Sequence, residues 1–247
     1  MRRSMRALCT SIAPLILLAL LPGVANAGTI VGASSLLNLA GLSQLESWLG
    51  EGPLTVTRVF AKGVDGTDSA AFHAAADGKG RTFTLVGATF NGVTRTLGGY
   101  NPVSWADGPI GSYNLSSSPA SRTAFLFNLG DALIYRQRLD SSQGQYQTYN
   151  YGAYGPTFGG GHDLWIDANL SSGYSYMYSY GSAATQGRTI FDGVTLGGTP
   201  PMSYGALEVF TISANPVPVA PALPLLMSGL VALGAAARRR AGGGTRA

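Results

Sequence analysis

The chain is poor in cysteine, lysine, histidine and charge. Of its 247 residues one is cysteine (Cys9), two are histidine and 11% are charged. Cys9 falls within a leading segment, residues 1–27, that reads as removable. The rest of the chain then has no thiol, which excludes disulfide stapling and cysteine chemistry there. Lysine is confined to Lys62 and Lys79. The formal charge of +4 is a property of the ends, which hold Arg2, Arg3, Arg6, Arg238, Arg239, Arg240 and Arg246. Between Gly28 and Ala237, nine basic residues face all 12 acids, a net charge of −3. A nucleic-acid surface needs clustered Lys and Arg to displace counterions. No such stripe exists, and nucleic acid is excluded as a partner. Low charge also argues against a disordered tail protein.

What is present at the ends reads as two addresses. Arg2, Arg3 and Arg6 precede an apolar run from Ile12 to Leu21. Ala25-Asn26-Ala27 then forms a small-x-small cleavage site, so residues 1–27 are expected to be a signal peptide helix, cut by signal peptidase. Its run is short for a membrane span; a buried N-terminal helix is the alternative. At the other end no charge occurs from Val209 to Ala237. Residues 217–237 are long enough to cross a bilayer, with the arginines holding that end in the cytoplasm. The stretch from Val217 and Pro218 through Pro221, the apolar helix, and Arg238, Arg239 and Arg240 together resemble a PEP-CTERM sorting signal of the VPLPA type. Ala220-Pro221 stands where that variant has Pro-Ala. The resemblance implies processing of residues 216–247 by an exosortase-type membrane protease. It also implies a Gram-negative source that makes exopolysaccharide, and a route from an inner-membrane-anchored intermediate to the cell surface or extracellular matrix. A plain C-terminal transmembrane anchor is the alternative.

Residues 28–215 are the size of one domain. Leu39, Leu42, Leu45, Trp48 and Leu49 have helical spacing. Ser43-Gln44-Leu45-Glu46 fits a capping box and places the ordered start there; Gly50 stops the helix. Asp68 is the expected cap of an alanine-rich helix that Gly78 ends. Strands are expected at Leu54 to Phe60, Thr82 to Val86, Leu164 to Ile166 and Ala206 to Ile212. Thr123 to Leu129 and Ala132 to Leu139 read as a hairpin around Gly130-Asp131. Short strands outnumber helices, so the fold class is α+β with antiparallel pairing. Eight of the 12 tyrosines lie between Tyr146 and Tyr180 among Gly and Ser. That stretch reads as long surface loops.

Several motifs, in order, resemble a TLDc domain. They are Ser47-Trp48-Leu49, the run from Asp65 to His73, Asp77-Gly78-Lys79-Gly80-Arg81 with Thr82 to Leu85, and Gly98-Gly99-Tyr100 with Trp105. Ala124 to Leu129, Gly155 to Leu164 and Leu207-Glu208-Val209-Phe210 complete the set. The family's pattern commonly has a cysteine before Asp-Gly-Lys-Gly. Here that position is Ala76, which removes any thiol-based reading. The resemblance implies an antiparallel β-sandwich flanked by a few helices, and no settled catalytic activity.

Four side chains are candidates for acid/base work: His73, His162, Asp163 and Glu208. A histidine beside a carboxylate after three glycines suits such chemistry, and this reading needs His73 and His162 to share a cleft. Structural roles are the alternative for all four. Their spacing matches no zinc motif, so neither metal nor cofactor is expected. The Tyr-rich segment suits sugar, because flat rings offer apolar area beside a hydroxyl. Tyr154, Phe158, His162, Tyr174 and Tyr176 are the candidate ligand-binding residues, with exopolysaccharide as the candidate ligand. The expected function is a non-catalytic binding or structural module. A secreted glycan or peptide hydrolase using His162 and Asp163, and an envelope adaptor for a protein partner, are the alternatives.

Overall fold

The computed structural model of the chain describes residues 27–197 and 202–215. The expected signal peptide with Ala25, and the sorting signal at 216–247, lie outside the described residues; Ala27 opens them. Among the described residues no helix is long and apolar enough to cross a membrane.

In chain order the elements are β1 (Thr29–Val31), α1 (Leu39–Leu49), β2 (Leu54–Ala61), α2 (Ser69–Ala76), β3 (Thr82–Phe90) and β4 (Val93–Asn101). There follow β5 (Ser112–Leu115), β6 (Phe125–Asn128), β7 (Leu133–Arg136), β8 (Tyr146–Asn150), β9 (Thr157–Phe158), β10 (Leu164–Ile166), β11 (Ser172–Ser175) and β12 (Met202–Ala214). The class is α+β, as expected. All strand pairings are antiparallel except that of β1 with β2.

Both helices start at side-chain caps. Asp68 accepts from the Ala71 N–H at 2.9 Å. Asn38 accepts from the Gly41 N–H at 2.9 Å, so α1 begins before the expected capping box. Ser43 therefore sits inside the helix. Glu46 instead accepts from the Leu54 N–H at 2.8 Å and joins α1 to β2. Gly50 ends α1 in the left-handed region at φ 76°, where glycine has no steric penalty.

The strands form one ladder in the order β5-β8-β9-β10-β11-β12-β3-β4-β6-β7. The start of β12 pairs with β11, and its later residues pair with both β3 and β2. One long strand thus joins two arms. On β3, Phe83 and Leu85 pack with Leu42, Leu45 and Phe210. Its other face carries Val86, Ala88 and Phe90, which share a core with Phe72, Phe158, Leu164 and Ile166. Both faces of β3 are covered, so even Thr82 and Thr84 are fully buried on it. Trp105 closes this second core: its Nε1 donates to Thr82 Oγ1 at 2.9 Å and its ring meets Phe158 edge-on at 5.3 Å.

The Tyr-rich stretch corrects the loop expectation. It supplies β8 and β11, with Thr157, Phe158 and Tyr180 fully buried in and around it. Small residues hold the rings here. A Cβ on Gly111 would come within 1.7 Å of Tyr149 Oη, and one on Gly160 within 2.6 Å of the Tyr146 ring. Tyrosines lie where glycines leave room, which is why the two residue types occur together.

Candidate functional site

Three of the four acid/base candidates are held by hydrogen bonds within the fold. His73 on α2 is 4% exposed; its Nδ1 lies 2.9 Å from Asp77 Oδ1. Its Nε2 faces the carbonyl oxygens of Tyr151 and Tyr154, each at 3.2 Å. This ring ties α2 to the turn after β8. Glu208 on β12 is 3% exposed and accepts from the Ser34 hydroxyl, from the Ser35 N–H at 2.8 Å and from the Ser35 hydroxyl at 2.9 Å. It pins the loop leading to α1.

Asp163 follows His162 but serves a different end. Its Oδ2 accepts N–H groups from Tyr178 at 2.5 Å, Ser179 at 2.8 Å and Tyr180 at 2.9 Å. Burial pushes the carboxyl up to about 7, against the pull of those three donors. Its position explains the glycine before it: a Cβ on Gly159 would meet Asp163 Oδ1 at 1.8 Å. Each carboxylate is engaged by its own chain, and His73 is closed off from solvent. His73 and His162 both reach Tyr154, the first through its carbonyl oxygen at 3.2 Å and the second through its ring at 5.8 Å, but His73, Asp163 and Glu208 are committed to structural hydrogen bonds. Among the described residues no group of three or more metal-ligating side chains exists.

A hollow of about 330 Å³ opens beside Glu208, with Arg58 and Lys62 on its wall. Lys62 Nζ is already spent on Leu170 O at 2.8 Å, Ser171 Oγ at 2.9 Å and Tyr204 O at 3.2 Å. Arg58 donates to Ala33 O. These cations brace loops.

The aromatic side chains do converge. Tyr113 on β5 pairs across the ladder with Tyr149 on β8, and Tyr149 with Thr157 on β9. Leu164 opposite Phe158 sets Trp165 on the row of Thr157, and Trp165 pairs with Tyr174 on β11. One cross-strand row therefore carries rings on four of five strands. Thr157 in the middle is buried, and rings from the flanking turns bridge it. His162 lies 5.0 Å from Tyr149, Tyr154 lies 5.8 Å from His162, and Trp165 lies 5.3 Å from Tyr154. The ends continue, Tyr113 to Tyr149 at 4.8 Å and Trp165 to Tyr174 at 5.3 Å. Strand alternation produces this face: Phe158, Leu164 and Ile166 point into the core, and Trp165 points the other way.

His162 sits at φ 57°, left-handed for a residue with a Cβ, after the three-glycine turn. Burial lowers its pKa, so the ring is neutral at pH 7. Two polar atoms in the row, His162 Nδ1 and Trp165 Nε1, are buried without a hydrogen-bond partner.

Of the five ligand-binding candidates, the structure brings Tyr154, His162 and Tyr174 together. Phe158 is a correction: at 0% exposure beneath the face it presents nothing to a ligand. Tyr176 is exposed but stands beside Gly187, outside the row. Tyr113, Tyr149 and Trp165 were missed. The signal for Trp165 was its place between Leu164 and Ile166, since two inward neighbours on a strand turn the middle residue outward.

Comparison with known proteins adds a family. Among curated proteins none matches the chain. A family model for the TLDc domain matches residues 30–213, which spans the cores and the aromatic row. The chain belongs to the TLDc family.

Proposed function

We propose that this is an exported TLDc-family protein of the cell surface or exopolysaccharide matrix, acting as a non-catalytic binding module. Signal peptidase removes residues 1–27. Residues 217–237 hold an inner-membrane intermediate until an exosortase-type protease processes the sorting signal. The domain is read as an antiparallel β-sandwich; the support is Phe158 of one arm resting on β4 of the other. The observation that carries the binding reading is the aromatic row. Six rings share one half-buried face, while every acid/base candidate except His162 is saturated by its own chain.

Tyrosine and tryptophan suit such a face because they supply area with few rotors to order. Fractionation of the source strain tests the export part. The processed domain is expected in the surface and matrix fractions. Recovery in the cytoplasm alone overturns the reading.

A further inference from the structure

We infer that the aromatic row takes a single, uncharged, linear polysaccharide chain lying across the strands from β5 to β11. The inference rests on the binding-module reading and names its ligand class.

Direction comes from the register. Tyr113, Tyr149, Trp165 and Tyr174 occupy one cross-strand row, whose four strand spacings span roughly 19 Å. A linear chain following that row meets one ring after another; a small compact ligand meets only a part of it.

Ring tilt selects a free chain over a crystalline surface. Tyr113 and Tyr149 are inclined at 53° and Trp165 and Tyr174 at 36°. A flat crystal face needs coplanar rings. A single chain turns its sugar faces from unit to unit and follows a tilted series.

Charge selects a neutral polymer. The row contains no Lys, Arg, Asp or Glu. Asp163 beneath it is 0% exposed, Arg138 is 7% exposed and held by Asp140 at 3.0 Å and Gln186 at 2.7 Å, and the groups left at its margin, Asp107 against Gly152 and Asp167 after Ile166, are carboxylates rather than cations. A polymer of uronic acids would bury carboxylates here without a cation to meet them, which is costly.

Hydrogen bonding selects a polyol. Tyr113 spends its hydroxyl on Gly160 O, whereas the Tyr149, Tyr154 and Tyr174 hydroxyls bond to no protein group among the described residues. His162 Nδ1 and Trp165 Nε1 are also unpartnered within the network. An orphaned buried polar atom costs about 1–3 kcal/mol. A sugar hydroxyl that reaches these atoms as a neighbouring ring turns offsets that cost. A purely apolar partner leaves it in place.

The test uses the purified full-length protein and matrix polysaccharide from the strain that makes it, split by anion exchange into neutral and acidic fractions. Binding is read by affinity electrophoresis, with microcrystalline cellulose as the flat-surface probe. The neutral fraction is expected to retard the protein, and the crystalline probe to leave it in solution. Trp165→Ala and Tyr174→Ala should each weaken retardation about tenfold, the scale of losing an aromatic anchor. Tyr113→Ala, at the opposite end of the row, should weaken it by a smaller factor. Tyr176→Ala, exposed but outside the row, should bind as wild type. Melting curves show which variants remain folded, and having three positions on three strands keeps the test open if one fails. Binding to the acidic fraction alone, or to the crystalline probe, overturns the ligand class. Neutral binding untouched by all three row variants moves the site elsewhere and leaves the module reading intact. Binding to neither fraction overturns the module reading as well.

Discussion

Phe158 of β9 rests on the bare Cα of Gly99 in β4: a Cβ there would stand 2.6 Å from the ring's Cζ and 2.8 Å from Leu126 Cδ2. The close approach seats the Tyr-rich arm on the central strands. It follows from one missing methyl group, and it fixes the height of the aromatic row above the core.

Gly99→Ala is accordingly expected to destabilise the domain by about 1–3 kcal/mol through overpacking. Phe158→Ala should cost about 3–5 kcal/mol through the cavity it leaves. Urea midpoints at fixed slope check both. A Gly99→Ala variant as stable as wild type would mean that the arm floats freely on β4.

Gly111→Ala separates the row from the core. The added Cβ would fall 1.7 Å from Tyr149 Oη, so the half-buried ring must leave its place between Tyr113 and His162. Retention on neutral polysaccharide should drop about tenfold with the melting temperature nearly unchanged. Affinity electrophoresis beside a melting curve reads both. The opposite pattern, stability lost and retention kept, would place Tyr149 in a purely structural role.

Asp163 gives the domain a pH-dependent term. Its carboxyl is raised from an ordinary value of 3.8 to about 7 by burial, so the folded state holds a proton that the unfolded chain has released. Stability from this group is full below about pH 4 and is lost as pH rises through about 7. Denaturant titrations from pH 4 to 8 should show wild type weakening over that window. Asp163→Asn should flatten the slope, while costing stability at every pH because its amide presents a donor beside the Ser179 N–H. Equal slopes in the two proteins would remove Asp163 from the pH response.

Glu208 tests the loop-pinning role. Glu208→Gln keeps the shape but trades charge-assisted acceptors for an amide, at an expected cost of about 1–3 kcal/mol. Hydrogen exchange should speed up at Ser35 to Leu37, while retention on polysaccharide stays at the wild-type level. Loss of retention with unchanged exchange would reassign Glu208 to a ligand.

The two helices and the central strands were legible because their residues obey simple rules. Asp68 and Gly50 mark helix ends, Leu164 to Ile166 is a short apolar strand, and Leu54 to Phe60 alternates Leu54 and Val56 with Thr55 and Thr57. Asn38 heads the helically spaced run, but Ser43 and Glu46 offer a matching box further along; only the contact of Glu46 with Leu54 shows what that carboxylate does instead. The Tyr-rich arm was illegible as sheet because Gly and Ser have low strand preference. Their value there is room for rings, as at Gly111 and Gly160, and room is a property of the packed state. Among the site candidates, residue type found Tyr154, His162 and Tyr174. It could not separate Phe158 from them, because which face a two-residue strand turns inward is set by its partners Thr148 and Leu164.

The most direct test of the account is one incubation of the full-length protein with the neutral matrix polysaccharide, reading retention and polymer length from the same sample. A non-catalytic binding face predicts retention, its loss in Trp165→Ala, and an unchanged length distribution. Shortening of the polymer would contradict the account and make His162→Ala the variant to examine, since His162 is the one acid/base candidate left with an unpartnered ring nitrogen.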